Sequence, residues 1–351
     1  MKPEKIYLNT ASCGLLSKES VDAANVLYNG MLTDASNAVE PIRDSGIARI
    51  RDTVAAFIDA PASQVALIPN FSWGMNAIVQ SLKGDEKVLL YKNDYPSLIA
   101  PFTVNRFDIS WIGDTDGFEI DSKELKRQLL SERIGILAIS HVQWLTAFKI
   151  DIQDIGQFCK EHGITFILDA TQSLGAVPVY LSKHHIDVLI CSNYKWMNAG
   201  FGTGIMYVSE SFMRKYPPVV AGSNSYSYVT GTFNFEPSIM NFEPGHLNMP
   251  GLLILEKAIQ QKLQQGIEKI ASHNLHLLQL LSDSIDASLI LGTREMQQRS
   301  SIVMLKDPGH LFDRLTNNSI VAIKRGANIR ISIHFYNTEN EVRRLIELLQ
   351  P

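Results

Sequence analysis

Short apolar runs alternate with amphipathic stretches through the first two thirds of the chain. Residues 65–68, 87–91, 135–140, 164–168 and 188–191 are brief and apolar, and each reads as a buried strand. A further strand follows Gly204. Between these runs, Ile47, Ile50, Val54, Phe57 and Ile58 fall on one face of a helix over 47–58. Residues 73–82 and 151–162 predict two more helices, the second stopped by Gly163. Ser17 caps a helix running to about Met31, polar residues 33–44 predict a loop, and 209–216 predict a short helix. Residues 221–238, rich in Gly, Ser, Asn and Tyr, predict a surface loop near a pocket.

Strand–helix alternation over 65–210 predicts an α/β class, with a large domain whose mostly parallel sheet is covered by helices. The pattern changes after Pro250. Helices over 252–265 and 267–285, short strands near 302–305 and 320–323, a last strand entered from Gly326 and a helix over 338–349 predict a smaller α+β C-terminal domain. The expected division is 15–248 for the large domain, with 1–14 and 249–351 forming the small one.

Composition narrows the class. The chain has 351 residues, 45% hydrophobic and 19% charged, with a net charge of −4. This suits a globular protein and gives no basic surface for nucleic acid or an anionic membrane. No apolar run reaches the roughly 18 residues of a membrane helix. The N-terminal MKPEKIYLNT lacks the apolar core of a signal peptide. Three cysteines, Cys13, Cys159 and Cys191, are too few for a disulfide framework and predict a reducing, cytoplasmic setting. His184, His185 and Asp187 read as a polar turn, and no metal site is expected.

Two chemical groups stand at predicted strand ends. Asp169 ends one apolar run, and Lys195 follows the next, 26 residues on. Carboxyl ends of strands are where open α/β sheets bind ligands. Pyridoxal phosphate would use both groups: a lysine amine for a Schiff base and an acid facing the pyridine nitrogen. By themselves the two residues fit better a buried ion pair, or two unrelated strand-end residues. The glycines at 200, 202 and 204 match neither a P-loop nor a dinucleotide-binding turn, because a strand follows them.

The surrounding residues decide between these readings. Asp169-Ala170-Thr171-Gln172 and Ser192-Asn193-Tyr194-Lys195-Trp196, together with Tyr194 to Gly200, resemble the class V aminotransferase family of fold-type I pyridoxal-phosphate enzymes. The family also holds kynureninases, cysteine desulfurases and isopenicillin N epimerase-like enzymes. The resemblance runs from about Asn9 to the C-terminus.

It implies a cofactor site: Lys195 as the attachment and proton-transfer residue, Asp169 facing the pyridinium, Tyr95 stacked on the ring and Gln172 on the ring hydroxyl. Phe71, Ser72, Ser192 and Tyr194 would hold the phosphate. His246 stands where the family carries a Thr that reaches the partner subunit's phosphate, so a homodimer is implied. Arg330 would grip the substrate carboxylate, with Asn9 and Trp144 beside the substrate. Trp144 fits a core position equally.

For the reaction, the reading is an aminotransferase acting on an amino acid. The alternative is a kynureninase-like or C–S lyase, or an epimerase, and a non-enzymatic binding protein ranks below both. Cysteine desulfurase is excluded on the expectation that it needs a mobile cysteine in the small domain, since none follows Cys191.

Overall fold

The computed structural model describes residues 5–229, 231–292 and 295–350. Seven strands build its main sheet: β1 (Val65–Ile68), β2 (Lys87–Tyr91), β3 (Asp108–Ile112), β4 (Ile136–Ser140), β5 (Thr165–Asp169), β6 (Val188–Ser192) and β7 (Gly204–Val208). Their spatial order is β1-β7-β6-β5-β4-β2-β3. Only β7 runs against its neighbours. Five strands, β1 and β4 to β7, are buried at every position. That is why they read as unbroken apolar runs rather than as alternation: helices cover both faces.

The parallel register brings strand ends together. Ser140 pairs with Asp169 at the ends of β4 and β5, and β6 ends beside them on Ser192. The connection from β5 to β6 carries no helix. It folds instead against the segment after Lys195. Gly175 (φ 95°) lies so close that a Cβ there would meet the Trp196 carbonyl at 2.5 Å.

A second, antiparallel sheet is formed by β8 (Ile290–Leu291), β9 (Ile302–Lys306), β10 (Ile323–Arg325) and β11 (Asn328–Ser332), in the order β8-β9-β11-β10. The N-terminal strand Ile6–Tyr7 pairs in parallel with Ile320–Val321. Leu8 packs there with Leu277, Leu281, Ile331 and Leu345 in a separate apolar cluster. The division at 15–248 remains a proposal. The helix Met249–Gln265 buries Leu252, Leu255 and Ile259 in the same core as the main sheet.

Several local expectations need correction. Residues 33–44 are not a loop: Asp34 caps the helix Ala35–Pro41, followed by a π turn, Ile42–Gly46, that runs into Ile47–Ile58. No residue of Ala35–Pro41 is buried, so apolar periodicity had nothing to register. The expected loop at 221–238 contains a hairpin of Tyr226–Val229 and Thr232–Phe235. The single strand expected at 320–323 is two, each in a different sheet. The edge strand β3 and the helix Ser122–Ser131 went unread. No helix among the described residues is long and apolar enough to cross a membrane.

Candidate active site

A cavity of about 380 Å³ opens at the ends of β4, β5 and β6. Asp169, Ser192 and Lys195 line it from the strand ends and the following turn. The helix Phe71–Ser81 presents its N-terminus to the same space. Tyr95, Trp144, Gln172 and Tyr194 complete most of the wall.

Lys195 is buried, with its Nζ 5.5 Å from the ring centroids of both Tyr95 and Tyr194. Burial lowers the pKa of this amine; the Asp169 charge opposes the shift, and the Arg330 and Arg325 charges add to it. Burial likewise raises the Asp169 carboxyl above its ordinary range, against hydrogen bonds from Thr171. Thr171 N donates to Asp169 Oδ1 at 2.8 Å, and the Thr171 hydroxyl accepts from Ser192 N at 3.1 Å. Thr171 thus ties the acid to the strand that leads to the lysine. The ion pair that Asp169 and Lys195 alone would have suggested is not made within salt-bridge distance among the described residues.

The helix N-terminus suits an anion. Asn70, not Ser72, caps it, accepting from Trp73 N at 2.9 Å. Phe71 N donates to Ser192 Oγ at 2.8 Å, and Ser72 Oγ donates to Ser97 Oγ at 2.9 Å. Gln172 is largely committed within the protein: its Oε1 accepts from Trp196 Nε1 at 2.7 Å and its Nε2 donates to the Ala11 carbonyl at 3.0 Å. Tyr194 stacks on Phe201 at 4.7 Å, and burial pushes its hydroxyl up to about 12.

Arg330 is 2% exposed. It donates from Nη1 to the Trp144 carbonyl and from Nη2 to Ser12 Oγ, both at 2.7 Å, while Nε has no acceptor. Asn9 bridges to Ser332 through its backbone, and its Oδ1 is buried without a partner. The Trp144 ring meets Tyr95 edge-on at 5.8 Å, so Trp144 is a wall residue rather than a core one. His246 is exposed and lines a different cavity with Arg43, Arg51 and Leu247; within one chain it does not join the others.

Sequence reasoning passed over Thr171, Ser12, Asn198 and Asp94. Asp94 is buried and accepts from Tyr95 N at 2.7 Å and Ser140 N at 2.8 Å, which fixes Tyr95 to the end of β4. A carboxylate directly before the tyrosine was the available signal.

An amine, an acid, an aromatic face and an anion-ready helix end around one cavity match what pyridoxal phosphate requires. The Aminotransferase class-V family matches residues 6–345, and the chain belongs to that family. Its cofactor is pyridoxal phosphate.

A probable cysteine desulfurase of Pyrococcus abyssi is 22% identical over 99% of this chain and 94% of its own length. The apo structure of a cysteine desulfurase from Thermococcus onnurineus shares the fold at TM-score 0.85 and 21% identity, covering 98% of this chain and 93% of that one. The cystine C–S lyase C-DES, with its reaction product cysteine persulfide, matches at TM-score 0.87 and 19% identity over 99% and 97%. A lysine-to-alanine variant of C-DES carries glycine covalently linked to its pyridoxal-phosphate cofactor.

These relatives overturn one expectation and weaken another. The exclusion of cysteine desulfurase does not stand, because proteins of that name match nearly the whole chain. The lack of a cysteine after Cys191 is a weak basis for exclusion: position along the chain does not fix position around a pocket. Assignment as a transaminase is also not supported, and the C–S lyase alternative is the better backed.

Proposed function

We propose that the chain is a pyridoxal-phosphate-dependent C–S lyase acting on a sulfur-containing amino acid. The observation that carries this reading is the Lys195 amine, buried between Tyr95 and Tyr194 in the Asp169 cavity. The kinship with C–S-cleaving enzymes supports the choice of bond.

Bound here, the cofactor would supply an electron sink for the substrate's α-carbon. Lys195 would anchor it covalently and Asp169 would face its ring nitrogen. Tyr95 would cover the ring, and Gln172 would offer its remaining amide hydrogen to the ring hydroxyl. The backbone of Phe71 and Ser72, with Ser192 and Tyr194, would frame the phosphate. Arg330 would orient the substrate carboxylate through a paired guanidinium contact, with Asn9 and Trp144 beside it. Lys195 Nζ, as the free amine, would take the α-proton. Its lowered pKa leaves a larger fraction as the neutral base. Tyr95, Trp144 and Phe201 give the space around that transfer an aromatic lining.

The same proposal includes a homodimer, supported by exposed apolar residues at Leu15, Val26, Tyr28, Leu32 and Phe201. In it, His246 reaches the partner's phosphate. A cytoplasmic setting belongs to the proposal too, on the three unpaired cysteines.

The test is to supply the holoprotein with cysteine, cystine and S-alkylcysteines, and to measure released sulfur and keto acid. Sulfur release with catalytic turnover is expected. Accumulation of the cofactor's amine form without C–S cleavage would sink the proposal. Light scattering tests the dimer.

A further inference from the structure

Arg325 brings a second guanidinium beside Trp144 of the cavity wall, and no group among the described residues neutralises it. It closes β10, and the two residues Gly326 and Ala327 turn the chain into β11. In that register Ile323 faces Arg330 and Arg325 faces Asn328. Directly opposed residues share a face and side chains alternate along a strand. Arg325 and Arg330 therefore stand on the same face as diagonal neighbours, roughly 7 Å apart.

Both reach Trp144. Arg330 donates to its carbonyl, and Arg325 Cζ lies 5.9 Å from its ring centroid. The Arg325 charge also acts on Lys195 and on Arg330, making each a weaker proton acceptor. No acidic partner and no hydrogen bond of the Arg325 guanidinium occurs among the described residues, and its Nε is buried without an acceptor.

Two like charges on one face, both against Trp144 of the cavity wall, repel each other, and an anionic ligand held between them would relieve that repulsion. One α-carboxylate occupies one such clamp. We infer that Arg325 binds a second anionic group of the substrate, so that the site selects dicarboxylic amino acids. Among sulfur compounds these are the ones in which two amino-acid halves are joined through sulfur. The inference rests on the C–S lyase reading only for the sulfur; the two-carboxylate selectivity stands on the arginine pair.

Equilibrium binding of simple carboxylates to the holoprotein tests it, read by absorbance of the bound cofactor and by calorimetry. Glutarate should bind at least tenfold more tightly than butyrate. Arg325→Met should bring glutarate to the level of butyrate, and Arg325→Lys should keep part of the preference. Equal binding of the two acids by the wild type, or a preference that survives Arg325→Met, would overturn the inference. A glutarate preference in a protein that cleaves no C–S bond would leave this inference standing and fail only the lyase reading.

Discussion

Lys262 Nζ donates to Asn198 Oδ1 at 2.8 Å, beneath the turn that carries Lys195. Lys262 is fully buried, and it makes no ion pair among the described residues. His334 Nε2 donates to the same oxygen at 2.9 Å and lies 3.1 Å from the Trp196 carbonyl, while Asn198 N donates to the Lys195 carbonyl at 3.1 Å. A buried amine from one helix and an imidazole from beyond β11 thus brace the Lys195 turn from below.

Burial lowers Lys262 to about 7. A lysine depressed in the folded state binds fewer protons there than when unfolded, so stability rises with pH between the folded and unfolded values. Denaturant unfolding of the wild type should therefore strengthen from pH 7 to 9, with Lys262 contributing roughly 1.4 kcal/mol per unit at most. Lys262→Met should lose the share of that rise due to Lys262 and keep the share due to the likewise lowered Lys195. Parallel curves for the two proteins would refute the assignment.

Gly14 leaves no room for a side chain. A Cβ would lie 2.0 Å from the Lys195 carbonyl oxygen, and Gly14 N donates to the Tyr194 carbonyl at 2.8 Å. Gly14→Ala is expected to cost roughly 2–3 kcal/mol through overpacking. It should also lower cofactor retention, measured by absorbance after gel filtration.

Glu243 holds β1 to its neighbours. It is buried, pairs with Arg51 through both oxygens and accepts from Leu67 N at 2.6 Å. Glu243→Ala leaves the Arg51 guanidinium unpaired, and a loss of about 3–5 kcal/mol is expected. The double change of Arg51 and Glu243 to Met should cost less. Urea midpoints with an unchanged slope would report it.

With Lys195 in its proposed role, covalent loading of the apoprotein would need the neutral amine. Loading rates should climb with pH and level off below the ordinary lysine value of 10.5, because burial and the two arginines lower it. Arg325→Met removes one of those charges and should move the plateau to higher pH. An unshifted profile would mean that the Arg325 charge is screened from the amine.

Much of the sheet was legible because five of its strands are buried on both faces and so form unbroken apolar runs. The edge strand β3 was not, since Asp108 and Trp111 face solvent and interrupt the pattern. The helix Ala35–Pro41 buries nothing and left no periodic trace. Of the residues placed near the cavity, Asp169 and Lys195 stood out at the ends of apolar runs, whereas Tyr95, Ser192, Arg330 and Gln172 entered only through the family resemblance. The bonds of Gln172 to Trp196 and Ala11 left no trace in the sequence.

The sequence by itself determined the alternation of strands and helices, the acid and the lysine at neighbouring strand ends, and the family. These depend on residues close along the chain or on local patterns of burial. Only the tertiary structure decided which distant groups share the cavity. Ser12 meets Arg330 across most of the chain, Lys262 lies under Asn198, and strand register sets Arg325 beside Arg330 on one face. Such contacts come from packing and pairing between remote segments, and no local pattern of apolar and polar residues encodes them.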